Sequence, residues 1–293
     1  MTDVLRQISV TCFFTSYLVV LVLESLRLLG RIPGRGLAVL VMSGIGLFTH
    51  VTYLTIRATS SELGVDMGRM ATWTDWSLLV ALGMAIAFVF YYLRRPDTVV
   101  GFFFMPVVLG LIGLGVAVRD LPAFDRSEAT QVWQNVHAIS MMIGSATVLL
   151  GFLAGAMYLV QSWRIKRKRA GSAWRLPTLE SLQSVNRRCL VASTIAVGIG
   201  FLSGVFMNWN RLGEIPWTNS GIVFSAVWFV WLAAASMIEL VYMPASRGRK
   251  VAYLMVASFG FLVLAIAAVL SSDHGQVSPA SNGPISTLPG ESS

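Results

Sequence analysis

The chain has 293 residues, 55% of them hydrophobic and 12% charged, about half the charged share of an average soluble domain; this excludes a soluble globular protein. Its net charge of +8 does not mark a nucleic-acid partner, because Lys and Arg gather in alternate loops between apolar segments, as orientation in a bilayer requires. Two cysteines, Cys12 and Cys189, without a CxxC or CxxCH motif, exclude a dithiol reductant and a c-type cytochrome.

Eight apolar segments, at about 8–29, 37–57, 76–93, 98–118, 133–163, 187–208, 221–242 and 251–271, predict an all-α integral membrane protein of eight transmembrane helices. The first segment is too long for a signal peptide and lacks a small-x-small cleavage site, so it reads as a retained helix. With the N-terminus outside, 16 of the 22 basic residues fall in inner loops and 10 of the 14 acids on the outer side, which places both termini outside. Residues 1–274 form one polytopic domain. The tail 275–293, rich in Ser, Pro and Gly, is expected to be disordered on the outer side.

In chain order, Glu24 near the inner edge of the first helix is expected to pair with Arg27 at i,i+3, and Glu239 of the seventh helix to pair in the same manner. His50 lies in the second helix, about two thirds of the way outward. Trp73 and Trp76 read as an interfacial belt with Asp75 as a helix cap. Pro106, Gly110, Gly113 and Gly115 predict a bent, closely packed fourth helix.

The stretch Trp133–Trp163 makes a helix of roughly 45 Å, with His137 near its outer end. It carries the small-residue motif Gly151xxxGly155 and stops at the basic run Arg164–Arg169. Residues 175–188 predict a helix along the inner surface, with Pro177 in its first turn. The next helix carries Gly200xxxGly204 and ends at Met207-Asn-Trp-Asn210. A short outer loop holds Trp217 and Asn219, and His274 follows the last helix.

All three histidines fall on the outer half or side of this topology. Neutral imidazole is a common axial ligand, so an outer haem or metal site is one reading; a polar residue at a helix end is the other. Zinc lacks the HExxH or CxxC spacing, hydrolysis lacks a nucleophile elbow, and proton-coupled transport lacks acids midway through the membrane.

Residues 130–275 also present, in order, YLVQSW (158–163) before basic residues, LPTLESLQ (176–183), GVFMNW (204–209), SAVWFVWL (225–232) and SRGRKVAYLMVASFGF (246–261), then a histidine past the last helix. In these features the chain resembles the cytochrome c assembly proteins, the CcsA/CcmC group, and especially their HemX-like relatives. The resemblance implies a non-covalent b-type haem with His137 and His274 as axial ligands to its iron and Trp209 and Trp217 as its platform. Arg119, Arg126 or Arg211 would face the propionates. His50 matches the group's intramembrane histidine, and stands equally as a transfer site or as a buried structural residue. The Trp-rich core is reduced to Trp209…Trp217-Thr-Asn219, and MIELVYM (237–243) carries no histidine. The implied role is therefore haem handling in c-type cytochrome maturation, not an enzyme on its own. It would work in the bacterial plasma (inner) membrane beside other assembly proteins, and through them apocytochrome c. A HemX-like, non-catalytic regulator of haem biosynthesis acting through the cytoplasmic basic surface is the alternative, and a small-solute transporter a third.

Overall fold

The computed structural model describes residues 9–27, 33–59, 72–121, 131–167, 175–214, 217, 219–241 and 247–270. Eight helices account for nearly all of them: α1 (Val10–Leu26), α2 (Arg35–Thr59), α3 (Trp73–Arg94), α4 (Gly101–Ala117), α5 (Gln131–Lys166), α6 (Leu179–Leu212), α7 (Ser220–Val241) and α8 (Arg247–Leu270). Six are long and apolar enough to cross a membrane, and the chain is a multi-pass helical membrane protein. The other two, α1 and α4, are apolar helices of 17 residues each. At about 26 Å they lie at the short end of what spans hydrocarbon, and both are shorter than the segments 8–29 and 98–118 read from hydropathy.

Residues 175–188 do not form a separate surface helix: Thr178 caps α6 by accepting from the Ser181 amide at 3.3 Å, and the helix runs unbroken to Leu212. Pro177 precedes the cap, so it ends nothing, and no residue between Leu179 and the left-handed Gly213 breaks the backbone.

The helices pack in two groups. In the first, α1 lies against α2 and α4, and α3 against α2 and α4. Phe13, Tyr17, Met84, Phe88, Met105 and Ile112 are buried between them. Gly46 makes room for Tyr17, whose ring would lie 2.7 Å from a Cβ there. Thr72, not Asp75, is the N-cap of α3; Asp75 at N3 completes a reciprocal capping box with it and also binds Arg57 across to α2. The hydroxyls of Thr74 and Ser77 donate to the carbonyls of Gly115 (2.9 Å) and Leu111 (2.7 Å) on α4. Of the three glycines expected to pack α4 closely only Gly115 has a neighbour, Ser77 Cβ at 3.4 Å, and a Cβ at Gly110 or Gly113 would meet nothing within 4 Å; the tightest approach is at Gly101, where a Cβ would lie 2.6 Å from Glu24.

Glu24 does not pair with Arg27. Its Oε1 accepts from Arg35 Nη1 at 2.7 Å, while Arg27 donates to the carbonyls of Pro96, Asp97 and Thr98 ahead of α4. Arg35, the first residue of α2, lies beside Glu24, so a partner on the neighbouring helix displaces the one three residues away. Glu239 pairs across helices as well, with Arg187 of α6 at 3.9 Å.

In the second group α6 runs antiparallel to α5, and α8 fills the space beside both. The small residues serve these contacts. A Cβ at Gly144 would meet Val197 at 2.6 Å, and one at Gly155 would meet the Ala252 carbonyl at 3.0 Å. Gly151 faces Met255 of α8 and Cys189 of α6. Polar links tie α7 in: Thr194 Oγ1 to Ser236 Oγ at 2.7 Å, and Trp231 Nε1 donating to Ser258 Oγ at 3.0 Å. The groups meet along α5, which touches α3 and α4. Cys12 is exposed on α1 and Cys189 buried on α6, both as free thiols.

Candidate functional site

The second turn of α5 brings His137 against α6, where Gly200 and Gly204 leave the backbone bare. His137 Nδ1 lies 2.7 Å from the Gly200 carbonyl oxygen. A carbonyl can only accept, so Nδ1 carries the hydrogen, and the neutral ring keeps the lone pair on Nε2. That is how a second-shell carbonyl orients a ligating imidazole. The same carbonyl also accepts from Ser203 Oγ at 2.9 Å.

His137 is half-buried at the edge of a cleft lined further by Phe201, Gly204, Asn208, Ile222 and Ser225. Asn208 Nδ2 donates back to the Gly204 carbonyl at 2.9 Å, and so its carbonyl oxygen remains as an acceptor. The cleft holds about 20 Å³, room for a water molecule and not for a macrocycle, which needs several hundred Å³. A porphyrin would therefore lie beyond the cleft walls. At this end of the bundle Trp133 stacks on Phe206 with ring centroids 5.3 Å apart. Trp209 and Trp217 are more than half exposed. A donor nitrogen and indole faces suited to a flat apolar ring are thus present, without an enclosing pocket.

The remaining predicted residues divide. His50 belongs to the other helix group and is fully buried: its ring stacks on Phe13 at 4.2 Å and 2°, and Tyr17 Oη lies 3.4 Å from Nδ1. The structure does not bring it to His137. Arg119 is exposed and paired with Asp120 at 3.5 Å. His274, Arg126, the side chain of Arg211 and the tail 275–293 lie outside the described residues. Among the described residues no group of three or more His, Cys, Asp or Glu could hold a metal ion; the cleft is lined by one imidazole, His137, and one thioether, Met207. Sequence reasoning reached His137 and the Gly200–Gly204 pair but missed Phe206, Asn208 and Ser225. Asn208 could have been found, since it follows Gly204 by one helical turn.

No protein-family model, curated protein or solved structure matches this chain.

Proposed function

We propose that this is an eight-span protein of the bacterial plasma membrane, with both termini outside, that binds or passes haem at its outer face during c-type cytochrome maturation. The observation that carries the reading is the 2.7 Å bond from His137 Nδ1 to the Gly200 carbonyl, which leaves Nε2 as a ligand atom. Haem, when bound, supplies an iron that takes an axial nitrogen. His137 offers that nitrogen in one tautomer, Trp209 and Trp217 offer stacking faces, and His274 is the proposed second ligand. The basic end of α5, with Arg164 and Lys166 in its last turn, supports the orientation, since it lies at the opposite end from His137. Other assembly proteins would pass haem onward to apocytochrome c, and the chain would catalyse nothing by itself.

Haem titrated into detergent-purified protein, followed by visible absorption, tests this. The wild type should take up haem and His137→Ala should lose most of it. Trp217→Ala should release haem faster with an unchanged axial spectrum, because stacking sets retention and the ligands set spin state. If His137→Ala and His274→Ala both keep the wild-type spectrum, the ligand assignment fails. If the wild type takes no haem even in excess, the chain is better read as a HemX-like regulator of haem biosynthesis.

A further inference from the structure

We propose that Gly204 is the positioning residue of His137, holding the imidazole in the orientation that leaves Nε2 for a ligand; as a statement about haem this rests on the reading above. Glycines make several close approaches in this helix group, and four of them, at Gly144, Gly198, Gly200 and Gly204, differ in what a Cβ would strike. At Gly144 it would meet Val197 Cγ2 at 2.6 Å, at Gly198 the Phe229 ring at 2.8 Å, and at Gly200 the Met141 thioether at 2.8 Å. At Gly204 it would lie 2.9 Å from His137 Nδ1 and 3.1 Å from Cε1.

The first three neighbours are apolar, and a methionine can reroute its unbranched chain. The imidazole cannot step aside at no loss. Its Nδ1–H is committed to the Gly200 carbonyl one turn earlier on α6, and any rotation that relieves a methyl at 204 lengthens that bond. The ring would then lose its fixed tautomer, and a buried N–H would be left short of its acceptor. Gly200 supplies the acceptor and Gly204 supplies the space.

The test compares Gly204→Ala with Gly200→Ala in full-length, detergent-purified protein. Gly204→Ala should weaken haem binding about 10- to 100-fold, the range for loss of an orienting second-shell contact. Millimolar imidazole added from solution should restore the axial spectrum. Gly200→Ala keeps its carbonyl and should stay within about threefold of wild type, because Met141 can yield. A second readout needs no haem: the rate at which diethylpyrocarbonate acylates His137 in a His50→Phe/His274→Ala background, where it is the last histidine. That rate should change several-fold with Gly204→Ala and little with Gly200→Ala. Should Gly204→Ala not fold, His137→Ala/Gly204→Ala should fold again, because the methyl then has room. A folded Gly204→Ala with the wild-type spectrum and acylation rate overturns the proposal, as does failure of the double variant to rescue. A shifted acylation rate in a protein that never takes haem would leave the positioning role standing and remove the haem reading alone.

Discussion

His50 of the first helix group and His137 of the second both sit within long apolar helices, and their surroundings differ in what each ring nitrogen faces. His50 has 0% exposure, lies flat on Phe13, and has a buried Nε2 with no hydrogen-bond partner. His137 has one nitrogen fixed to a backbone carbonyl and stands at the edge of a cleft. The ion pairs where the helices end repeat the contrast. Glu24 and Arg35 pair at 2.7 Å with side chains 0% and 12% exposed, whereas Glu239 pairs at 3.9 Å with an Arg187 that is 54% exposed. The first group is closed around its polar residues. In the second, Asn186, Ser193 and Ser258 are enclosed too, but His137 and Arg187 stand at an edge, where a ligand or a partner can reach them.

The sharpest way to break this comparison is to open the closed side. Glu24→Ala strands Arg35 with no counter-charge at the start of α2, and removing one partner of a buried pair costs about 3–5 kcal/mol. The protein should lose most of its folded yield, with a matching drop in thermal midpoint in detergent. Little change would mean that Arg35 finds water or lipid phosphate, and that the first group is not closed there.

Next comes the exchange of each imidazole for a ring of similar shape. His137→Phe should lower haem affinity by at least about 100-fold, or 2.7 kcal/mol, with little change in thermal midpoint. His50→Phe should do the reverse: haem uptake unchanged, and stability lowered by about 1–3 kcal/mol, since the buried Tyr17 hydroxyl loses its partner at His50 Nδ1. If His50→Phe abolishes haem uptake while the protein stays folded, His50 is a transfer site and the contrast between the two histidines fails.

These contrasts were only partly legible in the sequence. Runs of apolar residues were enough to find the eight described helices, and the Gly-xxx-Gly pairs marked real contacts, because close helix approach needs small residues wherever it occurs. The partners were not legible. His137 meets a carbonyl 63 positions away, and backbone carbonyls carry no residue identity to recognise. Glu24 took Arg35 over Arg27 because spacing on one helix ranks neighbours along that helix alone, while the start of α2 brought a second arginine closer. The surface helix expected at 175–188 failed for a similar reason: polar residues in the first turns of a helix look like a separate amphipathic segment until the continuous backbone is seen.

A smaller effect tests the open side. Glu239→Gln frees Arg187, which is already half in solvent, so stability should change by less than about 1 kcal/mol. A loss as large as that from Glu24→Ala would show that both groups are closed alike, and the comparison would then rest on the histidines alone.

The smallest expected effect concerns the thiols, one in each group. Cys12 lies in the first turn of α1, exposed, with Ser9 Oγ 3.9 Å from its sulfur. Cys189 is 8% exposed on α6, and its Cβ would lie 3.0 Å from a Cβ at Gly151. Here the exposed site is in the first group and the closed one in the second, so the contrast between the groups belongs to the two histidines and the two ion pairs and not to every side chain. Cys12→Ser should change stability by less than about 0.5 kcal/mol, as exposed substitutions do. Cys189→Ser should cost roughly 1 kcal/mol, because it buries a hydroxyl where a thiol packed. N-ethylmaleimide should label Cys12 in the folded protein and Cys189 only after unfolding, and the nonreducing gel mobility of the monomer should be the same with either serine. Rapid labelling of Cys189 in folded protein would mean that α5 and α6 separate there in solution. The same opening one helix face along would loosen the Gly200–His137 bond, since both contacts depend on the same pair of helices staying closed.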